Sequence, residues 1–443
     1  MVSAKNKKLI IVISAVMTVV LLGIVVTVSV LFTRLKGSKY EDNWFASMQY
    51  DIAKHSVIVE KEKGKDFVIL QLTDMQLWSN SKDNEASFVI AEKAIQQSSP
   101  NLVVFTGDNV SGVGAPGLLK TFIKKVESLA KEYNFLWAPV FGNHDNEMRA
   151  TPNWSGDQYL KASVDNGGHC LFRKGPTNLG DEFGDLLGNY VINVKEGEKI
   201  VQSLYMLDNS AYANYSQHLI ESIKQSEGRS NKERPFPYAQ IAWCEWQAKN
   251  INSIAGGIVP SIFFTHCAPY EMGHTLFKYV AGNDEKLNTE DDLKKQDKEG
   301  YWTLVGGYSS GNASDEPTIK PASSAIEALD YPFVDGKQLK GLAGRFAYVP
   351  GHALYNTGIV EKMKNFGLKG WFVGHDHEND IIFEYDNIIY GYGLKAGPSP
   401  KPWNDSYFFG GTILVMNEQG NITANHLQII KASDYWKTRT LMA

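Results

Sequence analysis

The chain has 443 residues, of which 43% are hydrophobic, and a net charge of −5 at pH 7. This length suffices for one large domain or two modest ones, and the aromatic content of 12% indicates a packed globular core rather than a disordered chain. The mild acidity gives no reason to expect a nucleic acid as the partner. Three cysteines, Cys170, Cys244 and Cys267, form neither a disulfide framework nor a CxxC metal pair.

The N-terminal part contains an uncharged run of 24 residues, 9–32, which is long enough to span a bilayer. A helix packed within the soluble domain is disfavoured, because nothing on this run offers a polar face. A cleaved signal peptide is the alternative, although no A-x-A site closes the run. We predict a tail and transmembrane signal anchor over 1–36 and a single-pass membrane protein. The flanking basic residues are three on each side, so their count does not set the orientation. The default is a short N-terminal tail inside and an extracytoplasmic catalytic domain.

The segment after the anchor begins with a polar tether over 37–65, which holds a candidate edge strand at 56–60. Apolar runs then predict strands over 66–72, 102–106 and 136–141. Apolar residues at helical spacing predict helices over 87–97 and 118–131. A β-α-β-α-β order implies parallel strands joined by helical crossovers, so the sequence predicts an α/β fold.

The rest of the chain combines short elements with two long excursions. Residues 151–188 and 267–351 show no clear period, and loops of this length are usually functional or mobile. The predicted domain covers 66–430 and is followed by a tail over 431–443. Further strands are predicted over 190–194, 202–207, 260–265, 370–373, 381–383, 388–392, 411–416 and 422–428, and helices over 239–254 and 359–366.

Five of the predicted strands end in Asp, Asn or His residues. In α/β sheets, ligands bind beyond the carboxyl ends of the strands, so these side chains are expected at one site. Oxygen and imidazole ligands without thiolates suit Mn, Fe or Zn. The strand ends carry Asp74, Gly107-Asp108-Asn109, Gly142-Asn143-His144-Asp145, His266 and Gly374-His375-Asp376-His377.

This ordered set resembles the calcineurin-like metallophosphoesterases, the superfamily that includes the purple acid phosphatases. The motifs span residues 74–377, and Gly-Asn-His-Asp and Gly-His-x-His are the specific ones. The resemblance implies a four-layer αββα sandwich of two mixed sheets, with two divalent or trivalent metal ions between the strand ends. It further implies that a hydroxide bridging the ions attacks a phosphate ester.

The resemblance also assigns roles to individual residues. Asp74 and His377 would hold the first metal, and Asp108 would bridge to the second. Asn143, His266 and His375 would hold that second metal. His144 would contact the phosphate and protonate the leaving oxygen, and Asp145 would orient His144.

Two positions depart from the family pattern. The first motif is usually Asp-x-His, but here it is Asp74-Met75-Gln76. An amide oxygen is a weaker ligand than imidazole, so the first metal is expected to be looser, unless Gln76 binds the substrate or a water instead. The purple acid phosphatases have a tyrosine three residues after the bridging aspartate, where this chain has Ser111, so no purple colour is expected.

Each motif also has an ordinary structural explanation. Asp74 at a strand end could cap a helix, and His375 and His377 could form a surface pair. The ordered combination, each part after an apolar strand, favours the metal site. The predicted function is a membrane-anchored dinuclear hydrolase of phosphate esters, with monoester and diester substrates left open. The alternative is a binding or scaffold protein that keeps the fold without catalysis, which only Gln76 supports.

Overall fold

The computed structural model describes residues 45, 48–79, 81–112, 115–145, 152–176, 186–209, 236–272, 277–280, 301–304, 333–334, 337–338, 340–343, 356–402, 407–417 and 420–438. The predicted anchor at 9–32 and most of the excursion at 267–351 lie outside these residues. Within the described ranges, no helix has the length and apolar character needed to cross a membrane.

The described residues form seventeen strands. In chain order they are β1 (Ser56–Glu60), β2 (Phe67–Leu72), β3 (Leu102–Thr106), β4 (Leu136–Val140), β5 (Tyr190–Glu196), β6 (Lys199–Met206), β7 (Ser261–Phe264), β8 (Phe277–Val280), β9 (Tyr301–Leu304), β10 (Phe333–Val334), β11 (Lys337–Gln338), β12 (Lys340–Ala343), β13 (Leu368–Val373), β14 (Ile382–Tyr385), β15 (Ile388–Tyr392), β16 (Phe408–Met416) and β17 (Ile422–Lys431).

The described residues also form seven α-helices, four of which were predicted from helical periodicity. They are α1 (Ile52–His55), α2 (Ser81–Ser98), α3 (Ala115–Tyr133), α4 (Pro152–Lys161), α5 (Tyr238–Ala255), α6 (Ile359–Lys364) and α7 (Ala432–Thr438). The predicted helices at 87–97, 118–131, 239–254 and 359–366 are confirmed, with ends that differ by a few residues.

Two mixed sheets organise the fold. The five-stranded sheet has the order β17-β16-β2-β3-β4, in which β2, β3 and β4 are parallel and β16 is antiparallel to β2. The eight-stranded sheet has the order β1-β5-β6-β7-β13-β15-β14-β12, with β6, β7, β13 and β15 parallel. The α/β prediction is therefore confirmed, and both sheets combine parallel and antiparallel pairs.

A hydrophobic core connects the two sheets. Val103 of the five-stranded sheet belongs to the same buried cluster as Ile262 and Phe372 of the eight-stranded sheet. The other side chains of the eight-stranded sheet, such as Trp371, pack with α5 residues such as Trp243 in a second cluster. Because the two sheets pack against each other through this shared core, loops at the strand ends of both sheets can lie close together.

The prediction of a long loop excursion at 151–188 is corrected in part. The segment contains helix α4 and buried aromatic residues. Tyr159 and Phe172 both contact Phe141, with ring centroids 6.0 and 5.8 Å apart. The helix was not predicted because this stretch is rich in Pro, Gly and Asn and its apolar residues do not recur at helical spacing.

The ends of the folded part also extend beyond the predicted domain. β1, in the predicted tether, pairs in parallel with β5 at the edge of the eight-stranded sheet. At the other end, α7 lies in the predicted tail, and its buried Tyr435 packs edge-on against Phe409. β1 confirms the candidate edge strand at 56–60, whereas α7 was not predicted, because a seven-residue helix leaves only a weak sequence signal.

Candidate metal centre

The five predicted strand-end motifs come together between the two sheets. β2, β3 and β4 supply Asp74, Asp108 and Asn143, while β7 and β13 supply His266 and the His375–His377 loop. Two groups of three side chains each place their ligand atoms within 4.8 Å of one another. These groups are Asp74, Asp108 and His377, and Asp108, His266 and His375.

The second cluster, Asn143, His266 and His375, has three ligand-type atoms at one point. The Asn143 Oδ1 lies 3.0 Å from the His266 Nε2 and 3.0 Å from the His375 Nδ1. The two imidazole nitrogens are 3.3 Å apart. The His266 Nδ1 lies 2.8 Å from the carbonyl oxygen of Thr106 and donates to it, so the Nε2 is directed into the cluster.

The first cluster, Asp74, Gln76 and His377, is arranged differently. The Asp74 Oδ1 is 3.4 Å from the His377 Nε2, as expected for two ligands of one ion. The Gln76 Nε2, however, donates to the Asp108 Oδ2 at 2.9 Å and lies 3.3 Å from the His377 Nε2. The amide therefore presents its donor side, so its oxygen binds a metal only after the amide turns over.

Asp108 lies between the two clusters. Its Oδ2 is 3.3 Å from the His266 Nε2 and accepts the Gln76 hydrogen bond on the other side. Its Oδ1 accepts a hydrogen bond from the backbone N–H of His144 at 2.8 Å. One carboxylate thus reaches both clusters, which is the position of a bridging ligand.

The donor set fits two metal ions. His266 has the hydrogen-bonded tautomer typical of a metal ligand, with its second nitrogen on a backbone carbonyl. The Asp74 Oδ1 is buried, and its approach to His377 is the one polar contact the structure gives it among the described residues. Buried carboxylates with nitrogen donors suit Mn, Fe or Zn and need a positive charge beside them.

The pKa values show the charge balance of the centre. Burial favours the neutral form of Asp108, but the adjacent His266 and His144 lower its pKa to about 2. Burial likewise opposes ionisation of Asp74, while His377 and His266 hold its pKa below the usual range. Against its own burial, the Asp108 charge raises the pKa of His266 to about 10. These carboxylates therefore favour a cation at the centre.

The backbone at the strand ends is strained. Asp74 and Asp108 both have a φ of 52° and His375 has a φ of 73°, in the left-handed region that non-glycine residues rarely adopt. Each conformation is held by contacts, since the Asp74 Oδ2 accepts the His375 N–H at 3.0 Å. A Cβ on Gly142 would lie 2.2 Å from the Asp108 Oδ1, so the motif requires glycine there. Strain of this kind is typical of functional sites.

His144 and Asp145 differ in their surroundings. His144 has a side chain exposed by 32%, and its Nε2 lies 3.8 Å from the Asp108 Oδ2 at the edge of the centre. Asp145 is buried, and its carboxylate accepts four backbone hydrogen bonds at 2.8–3.1 Å, from Gly142, Asp108, Asn109 and Val110. Asp145 thus joins the loops after β3 and β4, and its role in orienting His144 stays a prediction.

Burial and the Asp108 charge raise the pKa of Asp145 to about 7, although the backbone donors act in the opposite direction. The carboxylate of Asp145 lies beneath the loop that carries Asp108. A change of charge at this buried position would therefore disturb both loops.

Lys395 is a buried residue that the sequence analysis did not identify. It follows β15, whose carboxyl end lies beside that of β13, and its Nζ donates to the carbonyl oxygen of Asp74 at 3.1 Å. Burial lowers its pKa to about 8, although Asp74 and Asp108 act against this. The strand-end rule could have found it, because β15 is parallel to β13, but lysine was not among the ligand types sought.

An open cleft of about 440 Å³ lies over the first cluster. Gln76, His144 and His377 line it, as do Trp78 and Ser111. The cleft thus contains the candidate acid and two members of the first cluster. Trp78 is the second residue of the site that the sequence analysis did not identify.

The chain is similar to a yeast and a plant protein over part of its length. Phosphatase DCR2 of Saccharomyces cerevisiae is 29% identical over 171 residues, which are 35% of this chain and 28% of the yeast protein. Probable inactive purple acid phosphatase 29 of Arabidopsis thaliana is 26% identical over 168 residues, which are 33% of this chain and 41% of the plant protein. The matches thus span less than half of either relative.

Among solved structures, a dimetal phosphatase from Danio rerio aligns with a TM-score of 0.42 and 11% identity. The alignment covers 81% of this chain and 98% of the fish protein. The model of the calcineurin-like phosphoesterase family matches residues 67–289 of the 443, half of the chain. The chain therefore belongs to the calcineurin-like phosphoesterase family.

Proposed function

We propose that this protein hydrolyses phosphate esters with two metal ions. The observation that carries the proposal is the second cluster, where Asn143, His266 and His375 place three ligand atoms 3.0–3.3 Å apart beside Asp108. A mere packing role would not require a buried carboxylate shared by two groups of ligands. Family membership supports the same chemistry.

The proposal gives each side chain a task. Asp74 and His377 would hold the first ion, Asn143, His266 and His375 the second, and Asp108 both. Bound ions would supply Lewis acid stabilisation of the phosphoryl oxygens and lower the pKa of a water molecule. His144, at the edge of the cleft, would give its proton to the leaving oxygen as general acid.

Metal analysis with paired assays tests the proposal. Protein is incubated with Mn²⁺, Fe²⁺ or Zn²⁺, dialysed and analysed for bound metal, and then assayed on nitrophenyl phosphate and bis(nitrophenyl) phosphate. We expect two ions per chain and hydrolysis of at least one ester, lost with a chelator and restored by metal. Two bound ions without hydrolysis of either ester would instead favour the binding or scaffold protein.

The proposal has two further parts. The first is the layer order helix–sheet–sheet–helix, which the two hydrophobic clusters on either side of the eight-stranded sheet support. The second is anchoring by residues 9–32, with the catalytic domain outside the cytoplasm, which rests on the uncharged run alone. Release of the full-length protein from membranes by alkaline carbonate would contradict an integral anchor.

A further inference from the structure

Trp78 has an unusual position for an exposed tryptophan. Its exposed fraction is 51%, while the preceding Leu77 is fully buried. Met75 and Leu77 are fully buried in the core, whereas Gln76 and Trp78 both line the cleft. The indole therefore lies on the cleft side, two residues after Gln76 of the first cluster.

The backbone that carries Trp78 is held firmly. The Leu77 N–H donates to the carbonyl of Asn109 at 3.0 Å, and the Ser111 N–H donates to the carbonyl of Leu77 at 2.9 Å. The Trp78 N–H donates to the Asn84 Oδ1 at 2.8 Å, and the Asn84 Nδ2 donates back to the Trp78 carbonyl. These bonds fix the backbone that carries the indole relative to the Asp108 loop and to helix α2.

Gly112 lies beside the indole. A Cβ built on Gly112 would lie 3.5–3.8 Å from three indole atoms, so the position leaves room for a methyl group next to the ring. The φ of +80° at Gly112 is one that glycine adopts readily. The indole is half exposed and lines the cleft.

The other large exposed hydrophobic residues of the described chain are not in this cleft. They are Ile58, Ile254 and Ile258. Single exposed apolar residues are common on protein surfaces and need no function. Trp78 differs because a rigid aromatic ring and the candidate acid His144 line one cleft, whose volume suits a phosphate ester with one or two rings.

We infer that Trp78 is a stacking platform for a planar aromatic group on the leaving side of the substrate. This inference rests on the proposed function and narrows its substrate class to phosphate esters of aromatic-bearing alcohols or phenols. Two sources share this chemistry, a nucleotide and a phosphorylated tyrosine. Stacking on a fixed tryptophan requires only a π-face and therefore tolerates either.

Binding of phosphonates separates this inference from the proposed hydrolysis. Phosphonates have a C–P bond in place of the ester oxygen, so the protein binds them without turnover. Calorimetry on the metal-loaded full-length protein would compare naphthylmethylphosphonate, cyclohexylmethylphosphonate and inorganic phosphate. We expect the planar probe to bind tighter than the cyclohexyl probe. We expect Trp78→Ala to weaken only the planar probe, by about tenfold, while Trp78→Phe keeps most of the affinity.

Two further probes distinguish the sources. An adenine-bearing acyclic phosphonate stands for a nucleotide, and phosphonomethyl-phenylalanine stands for phosphotyrosine. Dependence of either on Trp78 supports the inference, and the one with the larger loss on Trp78→Ala identifies the source. Because hydrolysis is not measured, an inactive protein that still binds the planar probe through Trp78 would contradict only the proposed function.

Ile258→Ala is the matched control, since it removes an exposed apolar side chain outside the cleft. It should leave all affinities unchanged. Metal content and thermal unfolding should be the same for the Trp78 variants as for the parent protein. Equal weakening of naphthylmethyl, cyclohexylmethyl and inorganic phosphate ligands by Trp78→Ala would overturn the inference, as would no weakening at all.

Discussion

The two clusters of the centre share Asp108 but are prepared for a metal ion to different degrees. In the second cluster, the ligand atoms of Asn143, His266 and His375 already converge, and the Thr106 carbonyl fixes the tautomer of His266. In the first cluster, the Gln76 amide donates to Asp108. A metal must displace that hydrogen bond before it binds there.

The two clusters also differ in the charged groups beside their histidines. The Lys395 ammonium lies on the carbonyl of Asp74 in the first cluster, and burial together with the Lys395 charge lowers the pKa of His377. In the second cluster, the charge of Asp108 outweighs burial and raises the pKa of His266. The two clusters share a carboxylate but differ in the donors and cations around it, and we therefore expect their ions to bind with unequal affinity.

The largest expected effect comes from the residue that the two clusters share. Asp108→Ala should remove both ions and all measurable activity on nitrophenyl and alkyl phosphate esters, because each cluster loses a carboxylate. It also removes the acceptor of the His144 N–H, so the loop after β4 loses an anchor. Metal content and both rates are measured on folded protein, checked by circular dichroism.

Asp165→Ala is the control for this substitution, because it removes an exposed aspartate that pairs with Arg173. It should retain both ions and full activity. An Asp108→Ala protein that keeps one ion at its original affinity would show that the clusters are independent, and the bridging role of Asp108 would be wrong.

The next effect concerns His144, which touches neither cluster as a ligand. His144→Ala should keep both ions and lose about 10²–10⁴ in rate on an alkyl phosphate ester. The loss on a nitrophenyl ester should be much smaller, because a good leaving group departs without a proton. The ratio of the two rates, with metal content, is the measurement. Loss of an ion, or equal slowing of both esters, would contradict the general-acid role.

The strand-end motifs were predictable because they are local in sequence. Gly-Asn-His-Asp and Gly-His-Asp-His follow apolar runs, and the rule that ligands gather at the carboxyl ends of strands predicted that the loops would meet. The structure brings the ligand atoms of Asp74, Asp108, His266, His375 and His377 into two groups. Strands such as β3 were predicted correctly because all five residues are buried and apolar or β-branched.

What the sequence could not give depends on contacts between distant residues. The donor orientation of Gln76 is fixed by Asp108, 32 residues away. The contact of Lys395 with Asp74 spans 321 residues and follows from the order of β15 beside β13. Helix α4 has no apolar period in its sequence. It is stabilised by the packing of Tyr159 against Trp137 and Phe172, which are distant in sequence or lie outside the helix. Pattern analysis contains none of these tertiary contacts.

The third prediction tests the unequal clusters directly. Mild chelation should remove the first ion before the second, and Gln76→His should tighten the first ion by roughly tenfold, which is about 1.4 kcal/mol. An imidazole is a stronger ligand than an amide for these metals and ends the hydrogen bond from Gln76 to Asp108. The φ of 48° at this position is also one that histidine tolerates better than most residues.

Gln96→His serves as the control, because Gln96 contacts Tyr133 on an exposed surface outside both clusters. Metal release is followed by titration with a chromogenic chelator. Simultaneous loss of both ions from the parent protein would contradict the inequality. Unchanged affinity with reduced activity in Gln76→His would indicate that Gln76 contacts the substrate instead.

The smallest expected effect is that of Lys395, whose charge lies near the first cluster without being a ligand. Two like charges repel across a protein interior, so removing the ammonium should raise the affinity for the first ion by about threefold. Lys395→Met keeps the length and burial of the side chain. The measurement is the same chelator titration at pH 7, with the second ion as internal reference.

Lys61→Met provides a matched control, because Lys61 is also buried and pairs with Glu196 outside both clusters. It should change neither ion's affinity. If Lys395→Met instead weakened the first ion, the hydrogen bond to the Asp74 carbonyl would matter more than the charge. Lys395 would then be a residue that positions the strained Asp74 loop, and the difference between the clusters would reside in Gln76 alone.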